Sequence, residues 1–236
     1  MMKLLLSENT NTYVISDIHG CFKTLRKLIE DIISINKDDY VFFLGDYIDK
    51  GPSSKDVLDY IILLKENNYR IYTLMGNHEK FMLDAYNEYD EKTFILYVEK
   101  ICKSGNLLDE NKKMNPKYLN FFKNLELYYE INNKIFLVHA GINFLKTNPF
   151  EDINTILTGK TVFDDLSLND KIVIHGHFIT EFQDIVNAIE KSEKIIPLDN
   201  GCYLNKPHRY YDYQKHGNLF CLNLRNFNYY FQKNVD

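Results

Sequence analysis

The sequence predicts an α/β fold, and three observations carry the prediction. Five short apolar, β-rich runs recur along the chain: Tyr13–Ser16, Tyr40–Leu44, Arg70–Met75, Lys134–Val138 and Lys171–Ile174. Runs of about 4–6 residues suit buried strands better than helices. Amphipathic helical stretches separate the first three runs. Each run is followed at once by polar, metal-capable side chains, on the strand edge where open α/β sheets build their sites. Length and composition agree with this reading. A chain of 236 residues with 45% apolar and 26% charged residues can bury one sizeable core, which excludes disordered and fibrous classes. No repeat, low-complexity linker or composition break interrupts it, so residues 1–236 read as a single domain.

Taken in order, the first strand leads into Asp17-Ile18-His19-Gly20. The stretch Phe22–Ile33 then places Leu25, Leu28, Ile29 and Ile32 on one helical face. The second strand leads into Gly45-Asp46-Tyr47-Ile48-Asp49-Lys50-Gly51. Pro52 precedes a second helix, Ser53–Lys65, with Val57, Ile61 and Leu64 inward. The third strand ends in Gly76-Asn77-His78-Glu79, and this alternation argues for βαβ units. Phe81–Tyr129 reads as mainly helical with a break near Lys112–Pro116, so about 81–130 is expected to form a helical insert or cap beside the site. The fourth and fifth strands deliver His139-Ala140-Gly141 and His175-Gly176-His177. From Ile195 to Phe231, short apolar runs alternate with turn signals at Asn200-Gly201 and His216-Gly217-Asn218, which predicts a β-rich ending.

Charge and cysteine usage exclude several function classes. With 28 basic and 33 acidic residues the net charge is −5, which offers no general footprint for nucleic acid or anionic membranes. No apolar run approaches the roughly 18 residues of a membrane span. Met1–Thr10 lacks a small-residue cleavage site, so a signal peptide is not expected and a cytoplasmic location is. Cys21, Cys102, Cys202 and Cys221 form no C-x-x-C pair and read as core or incidental thiols. The Tyr-rich segment Tyr203–Asp236 carries five Lys/Arg against two Asp. Interleaved aromatic and basic residues can stack single-stranded nucleic acid. Tyr and Phe are also strand formers, so the segment reads as sheet with solvated charges, His208 and His216 included.

The polar residues at the strand ends define a chemistry. Asp17 and His19, two residues apart on an extended segment, share one side of it. Asp46, Asn77, His139 and His177 add further oxygen and nitrogen donors, with no thiol among them. That set disfavours structural zinc and suits Mn, Fe or Zn in a hydrolytic centre. Six donors exceed what one metal needs if water or substrate also binds, and a pair of ions roughly 3.5–4 Å apart accounts for them. The natural chemistry of such a pair is attack by metal-bound hydroxide on a phosphate ester.

This ordered set of motifs resembles the phosphoprotein phosphatase branch of the calcineurin-like metallophosphoesterases, in particular the small bacterial and bacteriophage-lambda type. The resemblance runs from about Tyr13 to Leu224, and Ile179, where relatives carry a further histidine, favours this branch. It implies a four-layer α/β/β/α sandwich with mixed central sheets and two divalent ions, Mn²⁺ foremost with Fe or Zn as alternatives. By resemblance, Asp17 and His19 bind the first metal, Asp46 bridges both, and Asn77, His139 and His177 complete the second. His78 becomes the general acid, oriented by Asp49, while a metal-bridging hydroxide attacks in line. The leading expectation is a protein serine/threonine phosphatase, with phosphotyrosine as a further substrate. The alternative is a symmetrical bis(5'-nucleosyl)-tetraphosphatase. A phosphoprotein, phosphopeptide or dinucleoside polyphosphate is thus the expected partner of a monomer or small oligomer.

Two departures from the family pattern bear on phosphate capture. Lys50 stands where the family carries Arg, keeping the charge and losing the bidentate fork. The family's second phosphate-binding Arg has no counterpart, and Lys160, in Ile156-Leu157-Thr158-Gly159-Lys160, is the substitute on offer beside Lys50 and Asn77. These departures alone support a third reading, a non-catalytic phosphate-binding module, which Asp49 and His78 oppose. Ser16 in place of a family glycine is minor, and His175 reads as a structural neighbour of His177.

Overall fold

In the computed structural model, which describes residues 2–236, the chain runs β1 (Met2–Leu4), β2 (Thr12–Ile15), α1 (Phe22–Lys27), β3 (Tyr40–Phe43), α2 (Ser54–Glu66) and β4 (Arg70–Thr73). Helices α3 (Asn77–Glu88), α4 (Glu91–Leu96) and α5 (Pro116–Lys123) follow. Then come β5 (Tyr128–Ile131), β6 (Ile135–Val138), α6 (Ile153–Thr158), α7 (Asp165–Leu168), β7 (Ile172–His175), α8 (Phe182–Glu190), β8 (Ile195–Pro197), β9 (Asn218–Asn223) and β10 (Asn228–Lys233).

The strands form two five-stranded mixed sheets. One has the order β1-β5-β6-β7-β8 and the other β10-β9-β2-β3-β4. In the second sheet β2, β3 and β4 are mutually parallel, with Val14 opposite Phe42 and Phe42 opposite Tyr72. In the first, β6 and β7 are parallel, with Val138 opposite His175. Period-two alternation explains why these strands read as continuous apolar runs: both faces are buried. Val14, Phe42, Phe220 and Leu222 from one sheet meet Tyr129, Leu137, Ile174 and Ile196 from the other in a shared inter-sheet core. The alternate residues Tyr13, Ile15, Val41 and Phe43 lie in a second core with Leu25, Leu28, Val57, Leu58 and Ile61 of the first helices. Phe136, Val138 and Val173 join Ile156, Leu157 and Leu168 there. This is the expected helix–sheet–sheet–helix layering. All four cysteines are buried free thiols, and no helix is long and apolar enough to cross a membrane among the described residues.

Four expectations need correction. The helix predicted over Phe22–Ile33 widens after Lys27 into a π-helical turn, Leu28–Ile33, which rotates the register and leaves Ile32 exposed rather than inward. Two strands escaped the sequence reading. β5 is interrupted by charged Glu130, which pairs with Lys3 of β1 at 2.8 Å, so neither strand shows a clean apolar run. The helical region therefore begins at Asn77 rather than Phe81 and gives way to strand at Tyr128. Tyr203–Lys215 is loop, not sheet; only Asn218–Asn223 and Asn228–Lys233 of that segment are strands.

Candidate metal centre

Parallel strands β2, β3 and β4 end side by side, as do β6 and β7, so five loops meet at one edge of the sandwich. The loops interlock through their backbones. Ile18 N and His19 N both donate to Asp46 O (3.1 and 2.8 Å), Gly20 N to Tyr47 O (2.8 Å), Gly51 N to His19 O (2.9 Å) and Gly176 N to His139 O (2.9 Å). His19, Asp46, Asp49, Lys50 and His177 all adopt left-handed backbone conformations, with φ between 47° and 67°. Each costs on the order of 1–3 kcal/mol and persists only because its surroundings enforce it, and such residues concentrate at functional sites. Two glycines permit the close approach. A Cβ on Gly76 would collide with the Asp46 carboxylate and backbone nitrogen, and one on Gly176 with Asp17 Oδ1.

Asp46 is the hub. Its Oδ2 lies 3.4 Å from His19 Nε2 and 3.9 Å from His78 Nε2, and its Oδ1 lies 3.5 Å from His139 Nε2. Two trios capable of holding a cation, His19–Asp46–His78 and Asp46–His139–His177, therefore share this one carboxylate. Asn77 Oδ1 contacts both His139 Nε2 (2.9 Å) and His177 Nδ1 (3.0 Å). Asp17 stands outside both trios. Its Oδ2 accepts from His177 N at 3.0 Å, while its buried Oδ1 has no partner.

The protonation pattern follows from the neighbours. Nδ1 of His19 faces the Ile48 carbonyl (3.0 Å) and Nδ1 of His139 the Leu44 carbonyl (2.9 Å). A carbonyl only accepts, so each Nδ1 carries the proton and each Nε2 turns a lone pair toward the centre. Burial pulls His19 well below the usual imidazole range, lowers His139, and lowers His177 to about 4. Burial, reinforced by the Asp199 and Asp46 charges, pushes Asp17 well above the usual carboxylate range. Asp46 faces the same burial, yet the positive charges of His78 and Lys50 beside it favour its ionised form and hold it below that range. Neutral imidazoles, carboxylates and an amide oxygen thus converge, with acceptor facing acceptor between His139 Nε2 and Asn77 Oδ1 and an orphaned carboxylate oxygen alongside. A buried cluster in which acceptors outnumber donors fits divalent cations.

Beside the hub, His78 Nδ1 meets Asp49 Oδ2 at 2.7 Å. Burial pulls this imidazole down, and the Asp49 hydrogen bond and the Asp46 charge more than reverse it, leaving it raised. Lys50 is exposed, with Nζ 3.0 Å from His19 Nε2 and 4.7 Å from the Tyr203 ring centre. Lys160 stays apart from the polar cluster. Its ammonium lies 5.5 Å from the Phe178 ring, which in turn meets the His177 ring edge-on at 4.7 Å. His175 is buried with Nδ1 on the Gly176 carbonyl (2.9 Å), in keeping with a structural place.

Sequence reasoning missed several supporting groups. Glu79 was legible in the motif but carried no assigned role; it is fully buried and accepts four backbone N–H bonds. Ser104 donates to Asp49 Oδ1 (3.0 Å) from the helical region between β4 and β5, and Ser54 lies 3.0 Å from both Ser104 Oγ and Asp49 N. Nothing local announces a serine 55 residues from its partner. Asp199, just ahead of the Asn200-Gly201 turn signal, is buried, and burial raises it to about 6.

Residues 10–222 match the family model described as calcineurin-like phosphoesterase. A symmetrical bis(5'-nucleosyl)-tetraphosphatase of Buchnera aphidicola subsp. Schizaphis graminum is 31% identical over 146 residues, 61% of this chain and 47% of that protein. The serine/threonine-protein phosphatase 2B catalytic subunit A1 of Saccharomyces cerevisiae is 34% identical over 148 residues, 61% of this chain and 23% of that one. The chain thus spans about half the length, or less, of the curated relatives it matches. Among solved structures, a putative diadenosine tetraphosphatase superposes with TM-score 0.63 at 18% identity, covering 98% of this chain and 96% of that one. A yeast protein serine/threonine phosphatase similar to human PP5 gives 0.64 at 15% identity, covering 100% and 84%. At these identities the superpositions establish the fold.

Proposed function

The chain belongs to the calcineurin-like phosphoesterase family, and from that premise we propose that it is a metal-dependent phosphomonoester hydrolase acting foremost on phosphoserine and phosphothreonine in proteins. Asp17 and His19 would hold one divalent cation, Asn77, His139 and His177 a second, and Asp46 both. Bound there, the cations would polarise phosphoryl oxygens and lower the pKa of coordinated water. The remaining work belongs to the chain's own side chains. Asp49 fixes the His78 ring through Nδ1, leaving Nε2 to give its proton to the departing alkoxide oxygen. Lys50 supplies a single charge to the substrate phosphate, and Lys160 a more distant one. The helical region between β4 and β5 caps the site, with Ser104 steadying Asp49.

The observation that carries the reading is the 2.7 Å His78–Asp49 pair set beside the Asp46 carboxylate, which also faces His19 and His139. A phosphate-binding module has no use for an oriented proton donor. Turnover of a phosphopeptide panel by the Mn²⁺-supplemented protein tests it; absence of phosphopeptide turnover alongside rapid cleavage of a dinucleoside tetraphosphate would defeat the first choice. That second reading has its own support, since several relatives of about 31% identity carry the symmetrical tetraphosphatase name.

A further inference from the structure

We propose that Glu79 is a positioning residue for the two-metal centre, its two carboxyl oxygens acting as the acceptors that set the Asp46 loop. The proposal rests on the two-metal reading given above. Glu79 is the third residue of α3, where a glutamate commonly reaches back to the residue capping its helix. It does so here, with Oε2 accepting from Gly76 N at 3.1 Å. A helix cap requires nothing more. Yet the same Oε2 also accepts from Asp46 N (3.0 Å), and Oε1 accepts from Tyr47 N (2.8 Å) and Ile48 N (3.3 Å). Three of the four donors thus belong to a loop more than thirty residues away in sequence. They are consecutive N–H groups of the turn that carries Asp46 in its left-handed conformation, φ 50°.

Successive backbone N–H groups turned to one side form an anion-binding concavity. In many proteins such a concavity receives a ligand; here a side chain of the same chain fills it. The two ends of the carboxylate span the Asp46 loop and the Gly76 turn, and the latter presents Asn77 and His78. His78 N in turn donates to Asp46 Oδ1 at 3.1 Å. Glu79 therefore sets the spacing between the shared carboxylate and two further site residues, without itself facing the centre. All four partners are donors, so replacing one carboxylate oxygen with an amide NH₂ would set donor against donor at two of them.

Glu79→Gln isolates this role, because it preserves size and removes acceptor capacity. Loss of a group that orients metal ligands typically weakens metal affinity about 10–100-fold. Isothermal titration of the metal-stripped full chain with MnCl₂ should show that weakening. Glu79→Asp keeps a carboxyl group and should recover part of the affinity. Leu58→Ala, in the buried face of α2 and without a hydrogen bond to any site residue, controls for general destabilisation: it should lower the apo Tm and leave Mn²⁺ affinity within about twofold of the parent. Wild-type affinity in Glu79→Gln, or equal losses in Glu79→Gln and Leu58→Ala, would overturn the proposal while sparing the two-metal reading. Failure of the unaltered chain to bind Mn²⁺ at all would remove that reading and the proposal with it.

Discussion

Asp46 and Lys50 stand four residues apart in one loop, both in left-handed conformations, yet one is sealed in the interior and the other exposed. The inner wall around Asp46 is over-determined. Interlocked loops hold its backbone, His78 N donates to its side chain, and Glu79 accepts from its own amide. The outer rim has no such scaffolding. Lys50 rests on His19 and Tyr203, Lys160 only on the Phe178 ring, and the adjoining Tyr203–Lys215 segment is loop. Groups meant for cations must converge to within tenths of an ångström, so the fold spends backbone strain and buried hydrogen bonds on them. Long cationic side chains reach a phosphate by adjusting their own torsions. On the proposed reading, chemistry is built into the wall and substrate choice is left to the rim.

Substitutions graded from wall to rim should reproduce this contrast. Asp46→Ala removes the carboxylate common to both trios and should cost more than the about 10–100-fold typical of outer-sphere changes, with loss of bound metal by elemental analysis; a fully metallated, active variant would break the comparison at its centre. His78→Asn should lower kcat by about 10²–10⁴-fold while metal content holds, and an unchanged rate would show that the acid lies elsewhere. Asp49→Asn should lower kcat less and move the pH profile. A general acid must be protonated, so activity is present below the pKa of His78 and lost as pH rises through it. Because Asp49 raises that pKa, its loss should shift the alkaline limb to lower pH, and a limb that stays put would sever the pair. At the rim, Lys50→Ala should raise KM for a generic aryl phosphate about tenfold, the scale of one charged hydrogen bond. Lys50→Arg should recover it if a bidentate hold is geometrically open. Lys160→Ala should change KM by less than about fivefold, as befits an exposed charge. A larger effect of Lys160 than of Lys50 would invert the order of the rim.

The same divide governed what could be read beforehand. The five strands and the loops after them were legible because short apolar runs meet special polar and glycine residues at each end, a local pattern that survives folding nearly unchanged. β5 was not, since Glu130 breaks its run and finds its counter-charge on Lys3, 127 positions away in the numbering. Ile32 was misplaced because a π-turn changes a periodicity that sequence treats as constant. Ser104 and Ser54 were invisible because a hydroxyl acquires meaning only from the neighbour it meets. Tyr210, Tyr211 and Tyr213 carry strand-forming side chains in a loop, where pairing rather than propensity decides.

By itself, then, the sequence determined the kind of protein: an α/β core with acceptor side chains at the ends of its parallel strands, matched to the calcineurin-like phosphoesterase family. Those features are encoded locally, in runs of a few residues, and local encoding needs no partner. Tertiary structure alone decided that Asp17 keeps an unpartnered oxygen and that Lys160 stands aside. It also turned the unassigned Glu79 into a clamp on a loop thirty residues distant. Each of these is a relation between strand ends far apart in the chain, and only the stacking of the two sheets brings such ends within hydrogen-bonding range.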